Sequence, residues 1–165
     1  MRKWNKLIDA VRMKLQRYNP EKYWKYRKVV IEDCKRSWFI RLRCLHYIKK
    51  CDAFNNASLG TNIGEGATFK TIPHFPHGLN GIIISKNAKI GANAVIFHQV
   101  TIGEGNGGAP VIGDNCYIGA GAKIIGGIHI GNNVRIGANC IVSVDVPDNA
   151  TVVMEKPRII IRKSN

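Results

Sequence analysis

From Ile84 to Val142 the chain repeats every six residues, a period that few folds can accommodate. Ile84, Ile90, Ile96 and Ile102 are spaced by six, and after a ten-residue step come Ile112, Ile118, Ile124, Ile130, Ile136 and Val142. A Gly follows the aliphatic residue at positions 91, 103, 113, 119, 131 and 137. A small or β-branched residue sits four places after it, as in Ala88, Ala94, Val100, Cys116, Ala122, Val134 and Cys140. Short internal periods are the signature of a solenoid. A helix would smear these isoleucines around its whole circumference, because six is not a multiple of 3.6. Short strands joined by turns instead place every sixth residue inside, with Gly or Asn at corners where φ is positive. Three such strands close a triangular coil of about 18 residues, and stacked coils lie roughly 4.8 Å apart.

The residues that carry the pattern (IGANAV, IFHQVT, IGDNCY, IGAGAK, IGNNVR, IGANCI) resemble the hexapeptide-repeat acyltransferases. The resemblance implies a mainly β fold, a left-handed parallel β-helix, with an N-terminal helical segment. From about Asn55 to Arg158 the chain is similar to the serine acetyltransferase branch. It is more similar still to short relatives among capsular and exopolysaccharide biosynthesis proteins.

Residues 1–53 read as a basic amphipathic helical region, 54–153 as the β-helix and 154–165 as a tail. In Trp4–Leu15, Leu7, Ile8, Val11 and Leu15 share one face, with Lys and Arg opposite. Asn19-Pro20-Glu21 is a helix start: a capping side chain, Pro in the first turn and an acid near the positive dipole end. Ser37–Lys50 is a further basic amphipathic stretch. The repeat begins irregularly, with Ala57, Ile63, Phe69 and Phe75 in hexad spacing, then a nine-residue step to Ile84. Residues 104–110 form a loop thrown out between two hexads. After Pro147 the coil ends, and Val152–Arg162 is a tail rich in β-branched and basic residues.

Charge is concentrated at one end, with 16 Lys and Arg against 5 Asp and Glu in residues 1–56 and 9 against 6 in the remainder. No recognised nucleic-acid motif accompanies that charge, so no nucleic-acid partner is expected. Interleaved with Trp4, Trp24 and Trp38, it suits peripheral contact with an anionic membrane, or else a solvated face of helices packed on the β-helix. No run approaches a membrane span and no signal-peptide pattern opens the chain, so the expected compartment is the cytoplasm. Five Cys without a CxxC pair argue against a disulfide framework or a zinc site, and Cys116 and Cys140 take inward positions. No metal is expected: the His spacings 74, 77 and 98 do not supply the three-His set of a carbonic anhydrase-type site.

Counting three hexads to a coil stacks Phe75, Ile96, Ile118 and Ile136, and two places after each come His77, His98, Ala120 and Ala138. This outward column holds two imidazoles and then two alanines. In the enzymes that the chain resembles, the matching column carries a catalytic His and, above it, small residues against which the pantetheine arm of acetyl-CoA lies. The resemblance therefore implies an acetyl-CoA-dependent O-acetyltransferase with His77 as general base. A neutral imidazole can take the proton of a hydroxyl as it attacks the thioester. An isolated His in a turn is ordinarily structural; here register, loop irregularity and resemblance agree. His98, one coil away, is expected to orient His77 or to hold the acceptor or thioester. His74 is read as a turn residue or an acceptor contact, and His46 and His129 as structural.

Two departures from the serine enzymes stand out. The acid that orients the catalytic His falls, by hexad counting, at Asn62, which can still accept the Nδ1 hydrogen bond and fix the tautomer. Residues 104–110 also lack the Arg-His pair with which serine enzymes engage the amino acid. Serine is therefore expected to be a poor acceptor, behind a sugar hydroxyl of a surface-polysaccharide precursor, with serine O-acetylation as the alternative. For the coenzyme, the resemblance implicates Gly103, Ala120, Arg135 and Ala138, with Lys156 and Arg158 suited to its phosphates. It also implies a homotrimer with sites in the clefts between protomers.

Overall fold

Ile84, Ile96, Ile102, Ile118, Ile124 and Ile136 are each no more than 2% exposed, so every sixth side chain does point into the coil. The structure is a computed structural model that describes residues 8, 11, 13–156 and 158–160. Two helices, α1 (Pro20–Ile31) and α2 (Trp38–Phe54), precede twelve short strands. The strands are β1 (Thr68–Phe69), β2 (Ile83–Ile84), β3 (Lys89–Ile90), β4 (Val95–Ile96), β5 (Thr101–Gly103) and β6 (Val111–Ile112). They continue as β7 (Tyr117–Ile118), β8 (Lys123–Ile125), β9 (His129–Ile130), β10 (Arg135–Ile136), β11 (Ile141–Val142) and β12 (Thr151–Val152).

All named strand pairs are parallel, in three sheets ordered β1-β3-β6-β9, β4-β7-β10-β12 and β2-β5-β8-β11. These are the first, second and third faces of a left-handed β-helix of about five turns. Its corners are fixed by backbone that few residue types adopt. Asn93, Asn115, Asn133 and Asn149 all have φ between 56° and 60°. Their side chains hydrogen-bond in a ladder, Asn93 to Asn115 to Asn133 to Asn149, at 3.0–3.2 Å. Cys116 and Cys140 are buried inside, small enough to fill the angle of the triangle.

The first turn departs from hexad counting. Ser58 pairs with Ile83, which sets Leu59, fully buried, beneath Ile84. Phe69 then pairs with Ile90, so ten residues cover a step that takes six in the next coil. The four extra residues fold out as a hairpin, with Asn62 and Glu65 exchanging backbone hydrogen bonds at 3.0 and 3.4 Å. Leu59, rather than Ala57 or Ile63, therefore fills the third face of the first coil. The coil also runs past Pro147, since Val146 bridges Ile130 and β12 pairs with β10.

The helices close the open end of the prism. Asn19 caps α1 by accepting from the Lys22 amide at 3.0 Å, with Pro20 in the first turn, as the sequence predicts. Arg27, 7% exposed, reaches from α1 to the Thr61 hydroxyl and to the Leu59 and Ala67 carbonyls, which the irregular first coil leaves without ladder partners. Burial pulls its pKa down to about 10. The Tyr23 hydroxyl donates to Asp52 Oδ1 of α2 at 2.7 Å, and burial raises the Asp52 pKa to about 6. α2 is not the amphipathic helix expected: Cys44, Ile48, Cys51 and Asp52 are buried, while Trp38, Phe39, Ile40 and Leu42 are exposed. On the preceding segment Ile8, Val11 and Leu15 are exposed as well, whereas Trp4 and Leu7 lie outside the described residues. Among the described residues no helix is long and apolar enough to cross a membrane.

Candidate active site

The corner that follows the second face carries the column counted from the sequence. His74 bridges Val95, Val95 pairs with Tyr117 and Tyr117 with Arg135, which stacks Phe75, Ile96, Ile118 and Ile136. Two residues on, the backbone keeps the same register: Gly121 N–H donates to the His98 carbonyl at 3.0 Å and Asn139 N–H to Ala120 at 2.8 Å. His98, Ala120 and Ala138 thus rise along one edge of the prism, with the Asn80 carbonyl below them accepting from the Gln99 amide at 2.9 Å, and His77, on the same turn, joins the column through its ring.

The two imidazoles touch. His77 Nδ1 and His98 Nδ1 are 2.7 Å apart, with ring centroids at 4.8 Å and planes inclined by 33°. His77 is exposed, and His98 is half-buried. Gln16, in the segment before α1, approaches the same turn, its Nε2 lying 3.5 Å from the His77 carbonyl oxygen. Gln99, directly after His98, holds φ at 59°, a left-handed conformation that a non-Gly, non-Asn residue rarely takes. Lys123 braces it by donating to its carbonyl at 2.8 Å. Strained backbone of this kind gathers at working sites.

Two aromatic residues missing from the sequence reading also belong to this corner. Phe97 meets the His77 ring edge-on at 5.6 Å, Tyr117 lies 5.0 Å from Phe97, and Arg135 sits over Tyr117 at 5.8 Å. The signal was present in the alternation, since Phe97 and Tyr117 each adjoin an inward isoleucine and so face out beside the column.

Asn62 is not at His77. The four-residue hairpin carries it to the corner between the third and first faces, where its side-chain amide donates to Glu65 Oε1 at 3.4 Å. Glu65 is in turn paired with Lys86 at 2.9 Å. The hexad count fails there because the first coil is longer than those above it. Of the coenzyme candidates, Ala120 is half-buried and Ala138 exposed in the column, while Arg135 is exposed on the second face. Gly103 ends β5, at the far edge of the third face, and pairs with Ile125. Lys156 and Arg158 are exposed beyond β12. Residues 104–110 fold into a hairpin through Gly105 and Gly108 and dock on the next coil, where the Gly127 amide donates to the Asn106 carbonyl. Glu104 accepts from Ser85 and Asn87, so the loop presents no cation.

Residues 109–143 match the bacterial transferase hexapeptide (six repeats) family. A serine acetyltransferase of Helicobacter pylori is 34% identical over 131 residues, spanning 76% of this chain and 72% of that protein. Among solved structures, serine acetyltransferase isoform 3 of Entamoeba histolytica in complex with cysteine superposes with a TM-score of 0.62 at 30% identity, covering 73% of this chain and 43% of that one. The Neisseria gonorrhoeae serine acetyltransferase in complex with serine gives a TM-score of 0.60 at 28% identity, covering 82% and 54%. The chain spans about half the length of these solved proteins. The relatives carry the serine name, where the residues alone had pointed to capsular and exopolysaccharide proteins. On this identity and coverage, the chain belongs to the serine acetyltransferase family of hexapeptide-repeat acyltransferases.

Proposed function

We propose that the chain is an acetyl-CoA-dependent serine O-acetyltransferase with His77 as general base. The observation that carries this reading is the contact of the His77 and His98 rings at the foot of the Ala120–Ala138 wall. His77 takes the proton of the acceptor hydroxyl as its oxygen attacks the thioester carbonyl. When the carbon–sulfur bond breaks, the same nitrogen returns the proton to the departing thiolate. No covalent acyl-enzyme is needed. Ala120 and Ala138 suit the pantetheine arm because short side chains let it lie close to backbone. Arg135, Lys156 and Arg158 supply positive charge for its phosphates.

Three prisms packed side by side would complete this site. The column stands on an open corner, and Ile141 and Val144 nearby are exposed. In such a homotrimer the Gly103 strand and the 104–110 hairpin of one protomer can face His77 of its neighbour. Sedimentation should give a trimer at micromolar concentration; a fully active monomer would contradict it.

One observation favours a second reading, transfer to a sugar hydroxyl. The 104–110 hairpin offers no cation for an amino-acid carboxylate, and Phe97 and Tyr117 line the corner with rings. Coenzyme A release should be measured with serine against nucleotide-sugars and oligosaccharides. Serine turnover at kcat/KM of about 10⁴ M⁻¹s⁻¹ or above, ordinary enzyme performance, supports the proposal. Turnover confined to the sugars would select the second reading, and no release with any acceptor would end both. Peripheral contact with anionic membrane is a separate proposal, resting on the basic charge of residues 1–56 and exposed Ile8, Val11 and Leu15. Salt-sensitive co-sedimentation with anionic but not neutral vesicles would support it, and no binding at low salt would remove it.

A further inference from the structure

The Nδ1–Nδ1 contact constrains more than position. Two ring nitrogens 2.7 Å apart must share one proton, because two lone pairs, or two N–H groups, would repel at that distance. With both rings neutral, one is therefore the Nδ1–H tautomer and the other the Nε2–H tautomer. Only two arrangements exist, and they differ in which Nε2 is free to act as a base.

We propose that His98 is the positioning residue that holds His77 as its Nδ1–H tautomer, leaving His77 Nε2 as the base; this rests on the acyl-transfer reading above. The difference in exposure chooses this arrangement over its mirror image. His77 is exposed and so accessible to a hydroxyl, whereas His98 is half-buried, with the Asn80 backbone below it and Ala120 above it on the ladder. Phe97 packs edge-on against the same His77 ring, with centroids 5.6 Å apart. Among the described residues, His98 is the partner shown for the His77 ring nitrogens.

The arrangement works without a counter-charge. As Nε2 takes the hydroxyl proton, the Nδ1–H of His77 keeps its bond to the neutral Nδ1 of His98. That bond becomes charge-assisted, which favours the imidazolium. His98 thereby does with a neutral acceptor what a carboxylate would do with charge. Its own Nε2–H is left as a donor on the column.

Two substitutions and one spectrum test this on the full chain. His98→Asn keeps an acceptor oxygen at a reach close to that of Nδ1, and His98→Phe keeps the ring without the acceptor. With the acceptor that turns over, His98→Asn should stay within about threefold of wild-type kcat. His98→Phe should lose about 10- to 100-fold, the range for a residue acting through another, with the acetyl-CoA KM unmoved. Equal losses in the two variants would overturn the proposal. Two-bond ¹H–¹⁵N correlation of the wild-type chain should find His77 protonated at Nδ1 and His98 at Nε2. The reverse tautomers in an active enzyme would overturn the assignment and move the base to His98. The expected tautomers in a chain that releases no coenzyme A would overturn the proposed function instead.

Discussion

The β-helix and the helical cap are built on opposite principles. In the prism, each coil repeats the same solution: an inward aliphatic residue, a parallel ladder on each face and a corner with positive φ. Stability there is a sum of similar nearest-neighbour terms. The helical cap depends on a few particular contacts. Arg27 answers two carbonyls and a hydroxyl of the irregular first coil, and Tyr23 binds Asp52 across the helix pair. Its second helix leaves Phe39 74% exposed and Trp38 57% exposed while burying a carboxylate. A substitution in the prism is felt by the adjoining coils, whereas one residue of the cap answers several groups at once.

That contrast can be broken by substitution. Arg27→Met should destabilise by about 3–5 kcal/mol, since it leaves Thr61 and the Leu59 and Ala67 carbonyls buried without partners. Chemical denaturation measures it, and a cost under about 1 kcal/mol would mean that water or other groups serve those carbonyls. Ile118→Ala, in the middle of the prism, should cost about 2–5 kcal/mol. Phe39→Ala on α2 should stay within about 0.5 kcal/mol, as surface substitutions do. If Phe39→Ala cost as much as Ile118→Ala, the exposed face of α2 would have to be packed against another surface.

Asp52 sharpens the contrast through pH. Its folded pKa of about 6 lies above the ordinary 3.8, so the folded state holds the proton more tightly than the unfolded state. Between pH 4 and 6 folding takes up a proton, and stability falls as pH rises through that window. The full shift corresponds to at most about 3 kcal/mol. Asp52→Asn removes this slope, so wild type should lose stability relative to Asp52→Asn from pH 4 to pH 6 and run parallel to it above. Parallel curves throughout would show that Asp52 is solvated in the folded protein. A stabilising change belongs to the prism: Gln99→Asn should stabilise by up to about 1 kcal/mol by relieving the left-handed strain at φ 59°. A loss of stability would show that the Gln99 side chain has a role of its own.

The same division decided what could be read in the sequence. Hexad counting located the column of His98, Ala120 and Ala138 because a parallel ladder fixes register rigidly over a short period, and His77 meets it through its ring from the irregular step between Phe75 and Ile84. It failed for Asn62, where four residues bulge from the first coil and every position before Phe69 shifts face. Arg27 was indistinguishable from Lys22, Lys25 and Lys28, its neighbours on the same helix, since spacing alone does not say which cation meets an unpaired carbonyl. The contact between the two imidazoles follows from stacking, but its tautomeric consequence needed the 2.7 Å separation. The acceptor is the least legible part, because the cation-free 104–110 loop points away from an amino acid while the relatives of the repeat carry the serine name.

Everything proposed about chemistry rests on His77. The most direct test is His77→Ala in a coenzyme A release assay, with coenzyme A affinity measured in parallel by calorimetry. The account predicts a fall in kcat of about 10²–10⁴-fold, the usual consequence of losing a general base. Coenzyme A affinity should stay near wild type, because the Ala120–Ala138 wall is untouched. Retention of more than about a tenth of wild-type kcat, outside the range for that loss, would contradict it.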